Sequence, residues 1–229
     1  MRKFYSYIKN DKYAIGCTGQ TVYVYDSEGT EIAKFKDLPY AYTSAISPNG
    51  DIFVVKTTEG RLAVYSLETL SLIKKLRYSK VNGAQDDGFC FSSDGKYFIN
   101  VERQGDDLHS AISVYNTKDF SRVSQLLLDE NMMVSHIELA GGEYYAFGFV
   151  RGTDRVNGFV GKYANHQIQD ILFISEQEHD FYLNYLDLKM MGFTEKAYGD
   201  YFDVSLEKLK SADHSLAKLW RYYSGKGNK

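Results

Sequence analysis

The 229-residue chain is 44% hydrophobic and 25% charged, which excludes a disordered polymer and leaves material for an ordinary core. Its 27 basic and 30 acidic residues give a formal net charge of −3, which excludes the overall basic excess of a general nucleic-acid binder. No apolar run of about 18 residues is present and the first residues lack an apolar h-region, so neither a membrane helix nor a secretory signal is expected.

Twenty tyrosines and 14 phenylalanines stand beside one tryptophan and two prolines. Aromatic residues suit a pleated, half-buried surface, so this composition favours strands; tyrosine also suits binding surfaces, being apolar in body and polar at the tip. Cys17 and Cys90 are expected to be separate buried thiols of a reducing compartment, and a cytoplasmic location is expected with them.

In chain order, four hairpin signatures recur. Val22–Asp26 alternates, turns, and continues at Glu31–Phe35; Leu62–Ser66 continues at Ser71–Leu76; Ile112–Asn116 at Ser121–Leu126; Val160–Ala164 at Ile168–Phe173. The aromatic near the end of each first run is Tyr25, Tyr65, Tyr115 or Tyr163, at spacings of 40, 50 and 48 residues. A four-stranded propeller blade takes about 40–50 residues. Upstream of the second and third tyrosines stand Ser47-Pro-Asn-Gly-Asp51 and Ser92-Ser-Asp-Gly-Lys96, read as hairpin turns through their Asn-Gly and Asp-Gly pairs. Lys9–Lys12 and Ala140–Glu143 are weaker versions. Each unit reads strand, Gly-type turn, strand, variable loop, strand, turn, strand, with blades at about 3–37, 42–78, 88–128 and 134–175.

This order of turn, apolar strand and aromatic-ended strand resembles a WD-repeat blade over roughly residues 3–175. The Trp-Asp dipeptide of that family is replaced by Tyr25-Asp26, Tyr65-Ser66, Tyr115-Asn116 and Tyr163-Ala164, and its Gly-His dipeptide is absent. The resemblance implies an all-β fold, a small or incomplete β-propeller of four to five blades within a single domain spanning 1–229. Residues 181–225 are either a fifth blade, with Trp220 in the tyrosine column, or helical. Phe202, Ser205, Leu209, Ala212, Leu216, Leu219 and Tyr223 recur at steps of three and four, which favours a C-terminal helix over about 205–223 with Gly225 as its stop. Phe181–Met191 fits strand or helix. An open array would expose a blade edge, and a homodimer is one way to cover it.

Function is expected on the variable loops, among them Leu38–Tyr42, Thr57–Arg61, Arg77–Asp87, Arg103–His109, Arg151–Asn157 and Glu176–Asp180. Tyr40, Tyr42, Arg61, Tyr78, Arg103, Asp106, Arg151 and Arg155 are the candidate partner-binding residues, because aromatics and arginine supply most interface hot spots. Asp106, Asp107 and His109 form one polar cluster and Glu176, Glu178, His179 and Asp180 another; neither has the spacing of a known metal motif, and no metal or cofactor is expected. No G-x-S-x-G, H-E-x-x-H or P-loop pattern occurs. The leading expectation is a non-enzymatic interaction module whose partner is another protein, with no nucleic acid or membrane. The alternative is a glycan- or small-molecule-binding propeller, extending to a glycosidase, for which Asp87 and Glu102 are the nominal carboxylates.

Overall fold

The computed structural model describes residues 3–79, 88–104, 109–152, 156–190 and 215–226. Four antiparallel sheets of four strands follow one another in chain order, each strand pairing with its sequence neighbour. The first holds β1 (Ser6–Lys9), β2 (Tyr13–Cys17), β3 (Val22–Asp26) and β4 (Glu31–Phe35). The second holds β5 (Ala41–Ile46), β6 (Ile52–Thr57), β7 (Arg61–Ser66) and β8 (Ser71–Arg77). In the third are β9 (Phe89–Phe91), β10 (Tyr97–Gln104), β11 (His109–Asn116) and β12 (Arg122–Leu127). The fourth is β13 (Met132–Ala140), β14 (Glu143–Arg151), β15 (Val156–Ala164) and β16 (Gln167–Ile174).

Local chemistry sets the turns. Ser47 and Ser92 open five-residue loops in which Gly50 and Gly95 take φ of 69° and 70°, where a side chain is disfavoured. Each serine hydroxyl accepts the N–H across the loop, from Ile52 at 3.2 Å and from Tyr97 at 2.9 Å. The Gly141–Gly142 pair closes β13 to β14 as a two-residue turn with both φ positive.

A second periodic feature lies at the marker tyrosines. The register between the third and fourth strands slips between Val24 and Tyr25, between Val64 and Tyr65, and between Val114 and Tyr115; in the fourth sheet it slips between Val160 and Lys162. One extra residue there bends the strand and re-aims the side chain that follows.

By internal contacts the chain divides into two compact units, one built on the first two sheets and one on the last two. In the first unit, Ile15, Val22 and Val24 pack with Phe53, Val55, Ala63 and Tyr65. In the second, Ile99, Val101 and Ile112 pack with Val134, Ala146 and Phe159. The central strand β6 is buried at every position, which explains its near-continuous apolar run.

The fourth sheet has a different second layer. Helix α1 (Glu176–Met190) and helix α2 (Leu216–Lys226) lay Leu186, Leu216, Ala217 and Leu219 against Tyr145, Phe147, Val160 and Ile174. Trp220 therefore stands on a helix and not on a fifth-blade strand. Leu216, Leu219 and Tyr223 of the expected helical stripe do face the packed side, whereas Phe202–Ala212 lie outside the described residues. Gly225 is not a stop, because α2 runs to Lys226. Glu176–Asp180, expected as a loop, is the first turn of α1. Ser175 caps it: its Oγ accepts from the Glu178 N–H at 3.3 Å and donates to the Glu178 carboxylate at 2.6 Å.

Candidate interaction surface

The end of the first unit that carries the variable loops presents two exposed aromatics, Tyr5 and Tyr40, at 61% and 58% exposure. Tyr40 has φ +59°, a left-handed conformation that costs a bulky residue energy. Its neighbours hold it there. Its carbonyl accepts from Thr58 N–H at 3.2 Å, and the adjoining Ala41 exchanges two backbone bonds with Gly19 at 2.9 and 3.1 Å. The Tyr5 ring lies over Gly19, so close that a Cβ there would come within 3.1 Å of it.

The Thr58 turn is equally fixed. Gly60 (φ +69°) accepts from Tyr78 and Ser79 N–H, and a Cβ on it would collide with the Ser79 Cβ at 2.5 Å. Arg61 follows, its Nε 3.5 Å from Glu59, directly across the ladder from Arg77. Three residues before Tyr40, Asp37 ties the chain to the second sheet: its carboxylate accepts from Tyr65 hydroxyl at 3.2 Å and meets Lys75 Nζ at 2.9 Å, and its carbonyl accepts from Lys75 at 2.6 Å. Burial works to raise the Asp37 pKa, but the Lys75 bond and charge, with Tyr65, outweigh it and hold the carboxyl below its usual range. Burial, and then Asp37, push the Tyr65 hydroxyl far up, so it stays a donor.

The candidate residues separate once placed. Tyr40 is exposed, Tyr42 is half-buried at a bulge in β5, and Arg61 begins β7; all three lie in the first unit. Tyr78 is no surface contact: it is 6% exposed, with Lys56 Nζ 5.2 Å from its ring centroid. Arg103 is likewise internal at 9% exposure. It donates to Ser110 Oγ at 2.7 Å and to the Val134 carbonyl at 3.1 Å, tying β10 and β11 to β13. The loop expected at Arg103 is strand, because β10 runs on through it to Gln104, and Tyr78 directly follows β8, where its backbone N–H donates to the Gly60 carbonyl. Arg151, in the second unit, is exposed, its guanidinium 5.9 Å from the Phe149 ring. Asp106 and Arg155 lie outside the described residues, as do Asp86, Asp87 and Asp107. Tyr5 escaped notice in the sequence because it precedes the first strand; its signal was the aromatic density of residues 4–7.

The polar clusters also resolve into structure. Glu178 belongs to the cap of α1, and His179 stacks on Phe147 at 5.2 Å. Among the described residues, no group of three or more His, Cys, Asp or Glu is arranged to hold a metal ion. Glu102 is fully buried and accepts from Asn100, Gln104, Ser113, Tyr115 and Gln125, the Tyr115 hydroxyl at 2.6 Å. Such a carboxylate ties three strands together and is closed to a substrate. No helix among the described residues is long and apolar enough to cross a membrane.

No protein-family model matches the sequence, and no curated protein does. In structure, the chain is similar to the WD40 domain of Toxoplasma gondii coronin, with a TM-score of 0.55 and 15% identity over 73% of this chain and 44% of that one. It is also similar to Kuenenia stuttgartiensis hydrazine synthase, with a TM-score of 0.57 and 17% identity over 72% of this chain and 47% of that one. The fold is a WD-repeat-like β-propeller array. The chain spans less than half the length of either structure, and one of the two bears an enzyme's name while the other is a WD40 domain.

Proposed function

We propose that the chain is a non-enzymatic interaction module that binds another protein through the loop end of its first unit. The observation that carries this reading is Tyr40: a large aromatic, mostly exposed, held in a costly backbone conformation by the Gly19 and Thr58 segments. Strain of this kind persists where the surroundings enforce it, and it concentrates at binding sites. A tyrosine fixed in advance loses little entropy on binding, and Tyr5 and Arg61 supply the aromatic and cationic contacts that recur at interface centres. Support for a cytoplasmic setting comes from the two thiols, Cys17 and Cys90, which are both free.

The test is affinity capture with the full chain at near-native expression, repeated with Tyr40→Ala. The proposal expects a protein recovered in fixed ratio with the wild type and lost with the variant. Recovery of no protein, or equal recovery by both, contradicts it.

A further inference from the structure

In every sheet the chain takes the left-handed conformation at one fixed place after the marker tyrosine. Tyr25 pairs with Glu31, Tyr65 with Leu72, Tyr115 with Arg122 and Tyr163 with Ile168. Two residues before those partners stand Gly29, Leu70, Phe120 and His166, with φ of 83°, 50°, 51° and 58°. These four residues are therefore one position of the repeat.

What that position does differs from sheet to sheet. Leu70 packs on the core that holds Phe53 and Tyr65. Phe120 is 2% exposed, with its ring 6.1 Å from that of Phe98. Phe53–Tyr65, Phe98–Tyr115 and Tyr144–Tyr163 are equivalent cross-strand pairs. In the second and third sheets the turn thus lays an apolar side chain against its own pair. His166 is exposed instead, and it stands at the edge of a cavity of about 550 Å³ within the second unit. Pockets for small molecules fall in the range of about 300–1,000 Å³.

The walls of this cavity are apolar. Tyr97, Ile99, Val114 and Val123 line it from the third sheet, and Tyr144 and Tyr163 from the fourth. The Tyr163 hydroxyl and Ser124 Oγ bond to each other and expose no surface, so Tyr163 offers only its ring. Glu143 and Lys162, also on the lining, pair at 2.7 Å and cancel each other's charge. The exposed turn residues Asn165 and His166 supply the polar edge.

We propose that this cavity binds a small aromatic molecule of one or two fused rings carrying a hydroxyl or amino group. Its ring takes the place against Tyr144 that the Phe120 ring takes against Phe98, edge-to-face or offset as aromatic pairs prefer. Its polar substituent meets His166, whose imidazole donates or accepts according to tautomer. A sugar or an anion entering these walls would lose hydration that nothing there replaces. This site is separate from the surface around Tyr40 and stands without it.

The full chain is titrated with phenol, aniline, indole and 2-naphthol, and with cyclohexanol and glucose, by saturation-transfer NMR and calorimetry. His166→Phe and Val123→Trp are titrated beside it. The first gives the fourth turn the side chain that the third turn carries; the second places a large ring on the wall from a residue 56% exposed. At least one aromatic compound is expected to bind with Kd below ~1 mM, about 2–10-fold tighter than cyclohexanol and at least about tenfold weaker in each variant. Where His166→Phe does not fold, Val123→Trp decides alone. No binding by any of the aromatic compounds, equal or tighter binding of cyclohexanol or glucose, or undiminished binding by a folded variant overturns the proposal.

Discussion

Trp220 donates its indole N–H to the carbonyl of Asp170 at 2.9 Å. Asp170 sits in β16 with φ +50°, and Lys162 Nζ lies 4.4 Å from the centroid of the indole. Helix α2 is thus latched to the last strand through this indole. Trp220 is the chain's one tryptophan, so its fluorescence reports on that latch. Trp220→Phe keeps a ring but loses the hydrogen bond and the wider indole, and should cost about 1–2 kcal/mol in urea denaturation. In the wild type, the emission should shift to the red at the same urea concentration as the strand signal by circular dichroism, if helix and sheet unfold together.

A second prediction concerns a residue in the left-handed region. Phe120, at φ +51° and 2% exposure, ends the turn between β11 and β12 and lies 6.1 Å from the Phe98 ring. Removing the ring should cost about 3–5 kcal/mol. Glycine takes this backbone conformation without strain and alanine does not. Phe120→Gly should therefore be less destabilising than Phe120→Ala by about 1 kcal/mol, the reverse of the usual order in a strand. Paired denaturation curves measure the difference.

Acid should weaken the tie that Asp37 makes to Tyr65 and Lys75. The folded-state pKa of Asp37 is depressed, so its contribution is complete above the unfolded carboxylate value and is lost as pH falls through the lower folded one. Asp37→Asn should lower stability at about pH 7, and the gap from wild type should close as the pH drops below ~4. Urea midpoints across that range test the sign.

The thiols give a further readout. Cys17 is buried and its thiol is pushed up to about 12, Ser44 only partly offsetting this; Cys90, expected to be buried, is half-buried at the surface of its sheet, and desolvation raises its thiol as well. Neither should react with a disulfide-exchange reagent at about pH 8 until the fold opens, because the thiolate is the reactive form. Titration with and without denaturant should show the two thiols only in the unfolded chain.

The repeat was legible in the sequence where chemistry is local and periodic. Tyr65 and Tyr115 end alternating runs, and Gly50 and Gly95 need a backbone that few residues adopt, so each marks its place without reference to neighbours. The bulge before each tyrosine was hidden, since Val64-Tyr65 reads the same with or without an extra residue opposite. Helix α1 was obscured by Phe181, Tyr182 and Tyr185, aromatics that suit strands equally well, although Ser175 followed three residues later by Glu178 was a usable start signal. The site was partly legible. Tyr40 was legible as an aromatic on a variable loop, but what fixes it is the bond from Thr58 N–H to its carbonyl and the pairing of the adjoining Ala41 with Gly19, both distant in sequence.

The central claim, that the chain binds a protein through the preset Tyr40 surface, is tested most directly by comparing capture by wild type and Tyr40→Ala. Both should unfold at the same urea concentration to within about 0.5 kcal/mol, since Tyr40 is mostly exposed. The account predicts one protein recovered in constant ratio by the wild type and at least about tenfold less by the variant. Equal recovery by two equally stable chains, or none by either, would contradict it.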